Sequence, residues 1–171
     1  TYKNVTIVGD LDFTFMDEQL NKLPKRKRRF WNNSNNKIEN VFIYTHRTIW
    51  ARSYSDLDRL FLNNTQSLLG NNYESDVLPI IQAMQSKAQV VMFSGSLGDA
   101  PASFFNYKSH DSIQYVATAI RGLKRDAVLL VTKKESKISY SVKSLTKQPL
   151  NKFESYDFEF WSQNLGKIEK F

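Results

Sequence analysis

Hydrophobic and polar positions along the chain form patterns that predict alternating strands and helices. The β-branched run at 5–8 predicts a first strand. Residues 39–54 carry aromatic and β-branched side chains throughout, which predicts a long strand or a hairpin. The polar segment 16–23 between them predicts a first helix. The N-terminal third is therefore expected to contain both kinds of element.

Two further helices are expected in the middle of the chain. The first begins at Ser55, a good N-cap, and ends at Gly70. The second begins at Ser75 or Asp76, with Pro79 in its first turn, where proline is tolerated. Apolar residues recur at helical spacing, namely Leu57, Leu60, Phe61 and Leu68 in the first helix and Val77, Ile80, Ile81 and Met84 in the second.

The second half alternates again. Consecutive apolar residues within 88–96 predict a buried strand that ends in a glycine turn, and 126–132 predicts a second buried strand. Between them, a helix is expected to open at His110 or Asp111, with an apolar stripe of Ile113, Val116, Ala117 and Ile120. Residues 136–142 and 154–160 alternate with period two, which predicts an antiparallel strand and an edge strand.

This order of elements predicts an α/β fold: a mixed, mostly parallel sheet flanked by helices in Rossmann-like layers, with an antiparallel C-terminal extension. We expect residues 1–171 to form a single domain, and the start at Thr1 suggests that it is cut from a longer chain. We also expect the first strand to be central. Ligands of such sheets bind beyond the carboxyl ends of the strands, where Asp10, Asp12, Ser94 and Ser96 would lie.

Composition narrows the chemistry. The chain contains no cysteine, which excludes disulfides, thiolate zinc sites and a cysteine nucleophile. Its longest apolar runs, such as 127–131, are far shorter than the roughly 20 residues of a membrane-spanning helix, so none is expected. The net charge of +7 favours anionic partners such as nucleic acid or acidic lipid. Composition leaves the localisation unknown.

The acidic end of the first strand is a candidate metal site. Asp10, Asp12 and the hydroxyl of Thr14 supply hard oxygen ligands of the type that Mg²⁺ prefers. The alternative is a solvated acidic turn with no cofactor. Both interpretations stay open on these residues alone.

The segment VTIVGDLDFTFMD resembles the first motif of haloacid dehalogenase-like phosphohydrolases, an apolar strand followed by Asp-x-Asp-x-Thr. The resemblance implies that Asp10 is the nucleophile, that Asp12 is the general acid/base, and that Mg²⁺ neutralises the phosphate. The segment VVMFSGS is similar to the family's second motif, which would make Ser94 the residue that holds the phosphoryl group.

The order of elements also resembles that of von Willebrand factor A-like domains, whose metal motif Asp-x-Ser-x-Ser would correspond to Asp10-x-Asp12-x-Thr14. Such domains are mostly adhesion or assembly modules, which implies a binding role. The family's later Thr-Asp-Gly turn would correspond to Phe93-Ser94-Gly95.

A basic run at 24–31 is the strongest binding signal in the sequence. Its cations can neutralise phosphates, and its two aromatic residues can stack on unpaired bases. The run could instead bind anionic lipid, or it could be a solvated part of the surface that binds no partner. The residues concerned are Lys25, Arg26, Lys27, Arg28, Arg29, Phe30 and Trp31.

These observations lead to a non-catalytic interaction or regulatory α/β domain that binds a protein or an anionic partner. The alternatives are a Mg²⁺-dependent phosphohydrolase that uses Asp10, Asp12 and Ser94, and a nucleic-acid-binding domain that uses 25–29. The aromatic residues are expected mostly in the core and on sheet faces, and Trp50 or Trp161 would mark a protein-binding surface if exposed.

Overall fold

A computed structural model describes residues 5–9, 21, 38–54, 57, 72–95, 97, 102–120, 124–134 and 137–164 of the chain, with 5–9 described by their backbone. These residues form seven strands, two α-helices and three short helical turns. The strands are β1 (Val5–Gly9), β2 (Asn40–Thr45), β3 (Gln89–Ser94), β4 (Phe104–Lys108), β5 (Gln114–Thr118), β6 (Ala127–Lys134) and β7 (Lys137–Ser144). The helices are α1 (Leu78–Gln85) and α2 (Phe158–Asn164), and the helical turns are Ala51–Ser53, Tyr73–Val77 and Phe153–Ser155.

Five strands form a mixed sheet in the order β1-β2-β3-β5-β4. Strands β1, β2, β3 and β5 are parallel, and β4 pairs antiparallel with β5. Strands β6 and β7 form a separate antiparallel hairpin. The predicted α/β class, with a mostly parallel sheet and an antiparallel C-terminal extension, is confirmed.

The expectation that the first strand is central is wrong for the described sheet, where β1 is an edge strand. The central strand is β3, whose residues after Gln89 are all buried. Four consecutive apolar residues at 90–93 are the sequence signature of this position, because a central strand is covered on both faces. The carboxyl ends of β1, β2 and β3 nevertheless lie at the same edge of the sheet, since the three strands are parallel.

The two faces of the sheet are covered differently. On one face, the Tyr73 hydroxyl donates a hydrogen bond to the Met92 sulfur at 3.7 Å, and the helical turn that contains Tyr73 leads directly into α1. On the other face, the Tyr140 hydroxyl of β7 donates a 2.8 Å hydrogen bond to Oε1 of Gln114 in β5. The sheet therefore lies between a helical layer and the β6–β7 hairpin.

Several predicted elements have a different structure. The segment 39–54 forms only β2, because the chain turns after Thr45, whose hydroxyl donates to the Arg47 carbonyl at 2.8 Å. The predicted helix after His110 is wrong, since these residues form β5. Residues 126–132 are not a buried strand of the parallel sheet: they belong to β6, in which Leu130 and Val131 are exposed.

The predicted edge strand at 154–160 is also wrong, because these residues form a helical turn and the start of α2. Asp157 begins this helix, and its Oδ1 accepts a 3.0 Å hydrogen bond from the Phe160 amide. The predicted helix from Ser75 or Asp76 is present, but a helical turn precedes it from Tyr73. Of the predicted helices 16–23 and 55–70, the structure describes only Asn21, which is helical, and Leu57.

Aromatic side chains fill much of the core. Trp50 and Trp161 are both almost fully buried, so the proposal that they mark an exposed partner surface is wrong. The Trp161 indole donates a 2.9 Å hydrogen bond to the Phe104 carbonyl, which holds α2 against the edge strand β4. Within the described residues, no helix has the length and apolar character needed to cross a membrane.

Candidate functional site

A cleft of about 420 Å³ lies at the carboxyl ends of β2, β3 and β5, between the sheet and strand β6. This edge is where α/β sheets bind ligands, because the loops that leave parallel strands diverge there. The described lining residues are Tyr44, Thr45, Phe93, Ser94, Gly95, Phe104, Thr118, Ile120, Ala127, Val128, Leu129 and Val131.

The floor of the cleft is aromatic. Tyr44 in β2 and Phe93 in β3 are register partners, so their side chains leave the same face of the sheet. Their rings stack with centroids 5.1 Å apart and an interplanar angle of 15°. Partial burial raises the pKa of Tyr44 above its usual value, so its hydroxyl is neutral at physiological pH.

The rim of the cleft exposes apolar side chains. Tyr44 is 42% exposed, Val131 37% and Ile120 63%. Among the described residues, the other large apolar side chains that are this exposed are Leu130 and Leu145. Three of the five therefore surround one concave site, and such clustering is typical of a binding surface.

The end of β3 is fixed from behind the cleft. Ser94 is buried, and its Oγ accepts a 3.1 Å hydrogen bond from Nε1 of Trp50. The next residue, Gly95, donates its amide to the His46 carbonyl at 3.1 Å. A Cβ at Gly95 would lie 3.2 Å from that oxygen, so the close approach of the two loops favours glycine.

The lining of the cleft has little catalytic chemistry. Among its described residues there is no carboxylate, amine, guanidinium or imidazole, and the only titratable side chain is the Tyr44 phenol. General acid–base and nucleophilic catalysis normally require a group with a pKa near the working pH. What these residues offer is an apolar surface with the hydroxyls of Thr45 and Thr118.

No family model, curated protein or solved structure matches the chain at a significant level. The function is therefore argued from the residues and their geometry.

The structure describes one of the predicted site residues. Ser94 ends β3 as predicted and lines the cleft. The predicted metal ligands Asp10, Asp12 and Thr14 lie outside the described residues, although β1 ends at Gly9, the register partner of Tyr44. The basic run Lys25, Arg26, Lys27, Arg28, Arg29, Phe30 and Trp31 lies outside them as well.

Sequence reasoning located the edge of the sheet but missed most of the cleft. Tyr44 follows four buried residues of β2 and continues an aromatic and β-branched run, so nothing in the pattern marks it as exposed. Val131 was predicted in a buried strand and Ile120 in a helix, so neither was expected to be exposed at the edge of a cleft. The available signal was the glycine turn after the central strand, since the residues around it form one wall of the site.

Behind the cleft, on the helical side of the sheet, three tyrosines share hydrogen bonds in the core. The Tyr115 hydroxyl lies 2.7 Å from that of Tyr54 and 2.9 Å from that of Tyr73. Burial raises the pKa of Tyr115 and of Tyr73 far above the usual range, because the phenolate would lose its hydration. These groups hold β5 to the helical layer as neutral donors and acceptors.

Proposed function

We propose that this chain is a non-catalytic interaction domain, and that the cleft between the sheet and β6 binds an apolar segment of a partner protein. The observation that carries the proposal is the lining itself: a concave, aromatic-floored surface that has exposed apolar rims and no charged side chain among its described residues. Binding at such a surface is favourable because it removes apolar groups from water.

The size of the site fits this function. Ligand pockets usually measure about 300–1,000 Å³, so a cleft of about 420 Å³ accommodates several apolar side chains rather than an isolated ion. The exposed rim also extends the apolar surface beyond the cleft, as expected for a macromolecular partner. The hydroxyls of Thr45 and Thr118 supply the few polar contacts that orient such a segment.

Two neighbouring residues of β6 allow a matched test. Val131 lines the cleft, whereas Leu130 does not, and successive residues of a strand point to opposite faces. Both side chains are exposed, at 37% and 49%, so an uncharged glutamine at either position is expected to leave the fold intact. A library of random peptides displayed on phage is selected on the full chain, and the affinities of the selected peptides are then measured for both variants.

The proposal predicts that Val131→Gln weakens binding of the selected peptides about tenfold or more, which corresponds to about 1.4 kcal/mol. Leu130→Gln changes the affinity less than about twofold. Equal affinities for the two variants, or a selection that enriches no peptide, would overturn the proposal. Circular dichroism and thermal unfolding of both variants verify that the comparison is made between folded proteins.

A further inference from the structure

The edge of strand β6 that faces away from β7 forms one wall of the cleft. The hairpin consists of β6 and β7 alone, so each strand has one edge that does not pair with the other. No described residue outside β7 hydrogen bonds to the backbone of residues 128–132. Alternate residues of β6 therefore direct amides and carbonyls away from β7, and such an edge is a template for another strand.

The cleft lies on the β6 side of the hairpin. Ala127, Val128, Leu129 and Val131 line it, and no described residue of β7 does. On the β7 side, Tyr140 packs against Phe153 with ring centroids 4.7 Å apart, and the groove next to them is also lined by the charged residues Lys152 and Glu154. The space next to β6 is thus bordered by the backbone edge of β6 at its side and by the rings of Tyr44 and Phe93 at its floor. A third strand paired with β6 would occupy this space.

The outer face of the hairpin indicates the charge of the occupant. Because the ladder pairs Lys134 with Lys137 and Val128 with Lys143, these three lysines lie on the face opposite Val131. Within the described chain, no acidic residue shares that face and none of the three lysines has an ion pair. The facing pair Lys134–Lys137 is electrostatically unfavourable, and a nearby carboxylate would relieve it. Glu135, between them in the sequence, lies outside the described residues.

A third strand would place its side chains alternately on these two surfaces. Side chains directed at the sheet would meet Leu129, Val131, Tyr44 and Phe93, and those directed outward would lie beside the lysine face. We infer that the cleft binds an extended, acidic, amphipathic segment of a partner protein, which adds as a third strand to the free edge of β6. A second copy of this chain is disfavoured as the occupant, because each copy carries a net charge of +7.

This inference rests on the proposed function and adds the conformation and charge of the ligand, so its test separates backbone pairing from side-chain burial. The probe is a pool of nonapeptides that alternate glutamate with Val, Ile, Leu, Phe or Tyr. Each binding peptide is also made in two N-methylated forms, one for each alternate set of amides. A strand that pairs through one edge uses only one of these sets.

The inference predicts that one N-methylated form binds about tenfold or more weakly, since two lost backbone hydrogen bonds are worth about 1–3 kcal/mol, and that the other form binds within about twofold of the parent. Replacing glutamate by lysine in the peptide weakens binding several-fold, and so does Lys137→Glu in the protein. Lys108→Glu, an exposed lysine at the end of β4, is the matched control and leaves the affinity unchanged.

Equal binding of both N-methylated forms would overturn strand addition, and equal binding of the lysine peptides would overturn the acidic partner. If no alternating peptide binds but phage-selected peptides still depend on Val131, the inference fails and the proposed function stands. If neither class of peptide depends on Val131, the proposed function fails with it.

Discussion

The indole of Trp50 and the hydroxyl of Ser94 are hydrogen-bonded at 3.1 Å, although the two residues are 44 positions apart in the chain. Trp50 follows the turn after β2, and Ser94 ends β3 at the cleft. The bond therefore joins the loops of two parallel strands at the edge where the binding site lies. Trp50 is also packed against Tyr115, with ring centroids 4.7 Å apart, so the same side chain connects β5 to this corner.

Replacing Trp50 by Phe is expected to lower the free energy of unfolding by about 1–3 kcal/mol, because the buried Ser94 hydroxyl loses its donor and the smaller ring leaves a void. Once Ser94→Ala is present, the same replacement costs about 1 kcal/mol less. Urea denaturation of the two single variants and the double variant measures this coupling. Additive losses would show that the hydrogen bond contributes nothing to stability.

Asn40 is a buried side chain whose amide nitrogen and oxygen have no hydrogen-bond partner among the residues that the structure describes. Asn40→Val is therefore expected to raise the free energy of unfolding by about 1–2 kcal/mol, since it removes an unpaired polar group and favours the strand. The control is Asn106→Val, which removes the acceptor of a 2.9 Å bond from Gln114 and is expected to destabilise the fold. Thermal unfolding of both variants measures the two changes in stability. A loss of stability in Asn40→Val would contradict the claim that the buried Asn40 amide destabilises the fold.

The buried tyrosines make the free energy of unfolding depend on pH in the alkaline range. Their folded-state pKa values are raised, while tyrosines of the unfolded chain titrate near pH 10. Their contribution is thus complete below about pH 10 and is lost as the pH rises through the folded values. Above about pH 10, each such group lowers stability by up to about 1.4 kcal/mol per pH unit.

Tyr115→Phe is expected to reduce this alkaline slope, because it removes one of the buried phenols whose pKa is raised, and to cost about 1–3 kcal/mol at neutral pH by depriving Tyr54 and Tyr73 of their shared partner. Urea midpoints of the two proteins across the alkaline range give the comparison. Parallel pH profiles would mean that Tyr115 titrates normally.

The start of α2 depends on one carboxylate. Because Asp157 accepts the Phe160 amide at 3.0 Å, Asp157→Ala is expected to cost about 1 kcal/mol, and Asp157→Asn or Asp157→Ser to restore most of it. Trp161 is buried against Phe105, so fraying of α2 is expected to change tryptophan fluorescence. Unchanged stability in Asp157→Ala would contradict capping by this residue.

Sequence patterns predicted the fold class because its central strand is unambiguous: Val90 to Phe93 form a short apolar run that only a doubly covered strand explains. Coverage on both faces also made the sequence pattern of β5 ambiguous. Ile113, Val116, Ala117 and Ile120 are spaced as on a helix, yet Ile113, Val116 and Ala117 are buried because the strand is covered on both faces. The burial of consecutive residues in β5 therefore produced a pattern of apolar positions that resembles the periodicity of a helix.

Helix α2 shows the opposite error. Tyr156, Phe158 and Phe160 alternate as on a strand, but the fully buried residue is Trp161, and Asp157 provides the cap that begins the helix. The cleft was the least predictable feature. Its residues come from β2, β3, β5 and β6, and only the packing of the hairpin over the sheet brings Val131 near Tyr44. Ser94 was found because it ends a strand that the pattern located correctly.

A chemical-shift map of the full chain titrated with a phage-selected peptide tests most directly whether the cleft between the sheet and β6 is the binding site. The account predicts that the largest amide shifts occur at Tyr44, Phe93 and Thr118 and along residues 127–131 of β6, with small shifts at the start of β7. Shifts concentrated on Phe153–Ser155 or on α2, with the cleft residues unmoved, would contradict it.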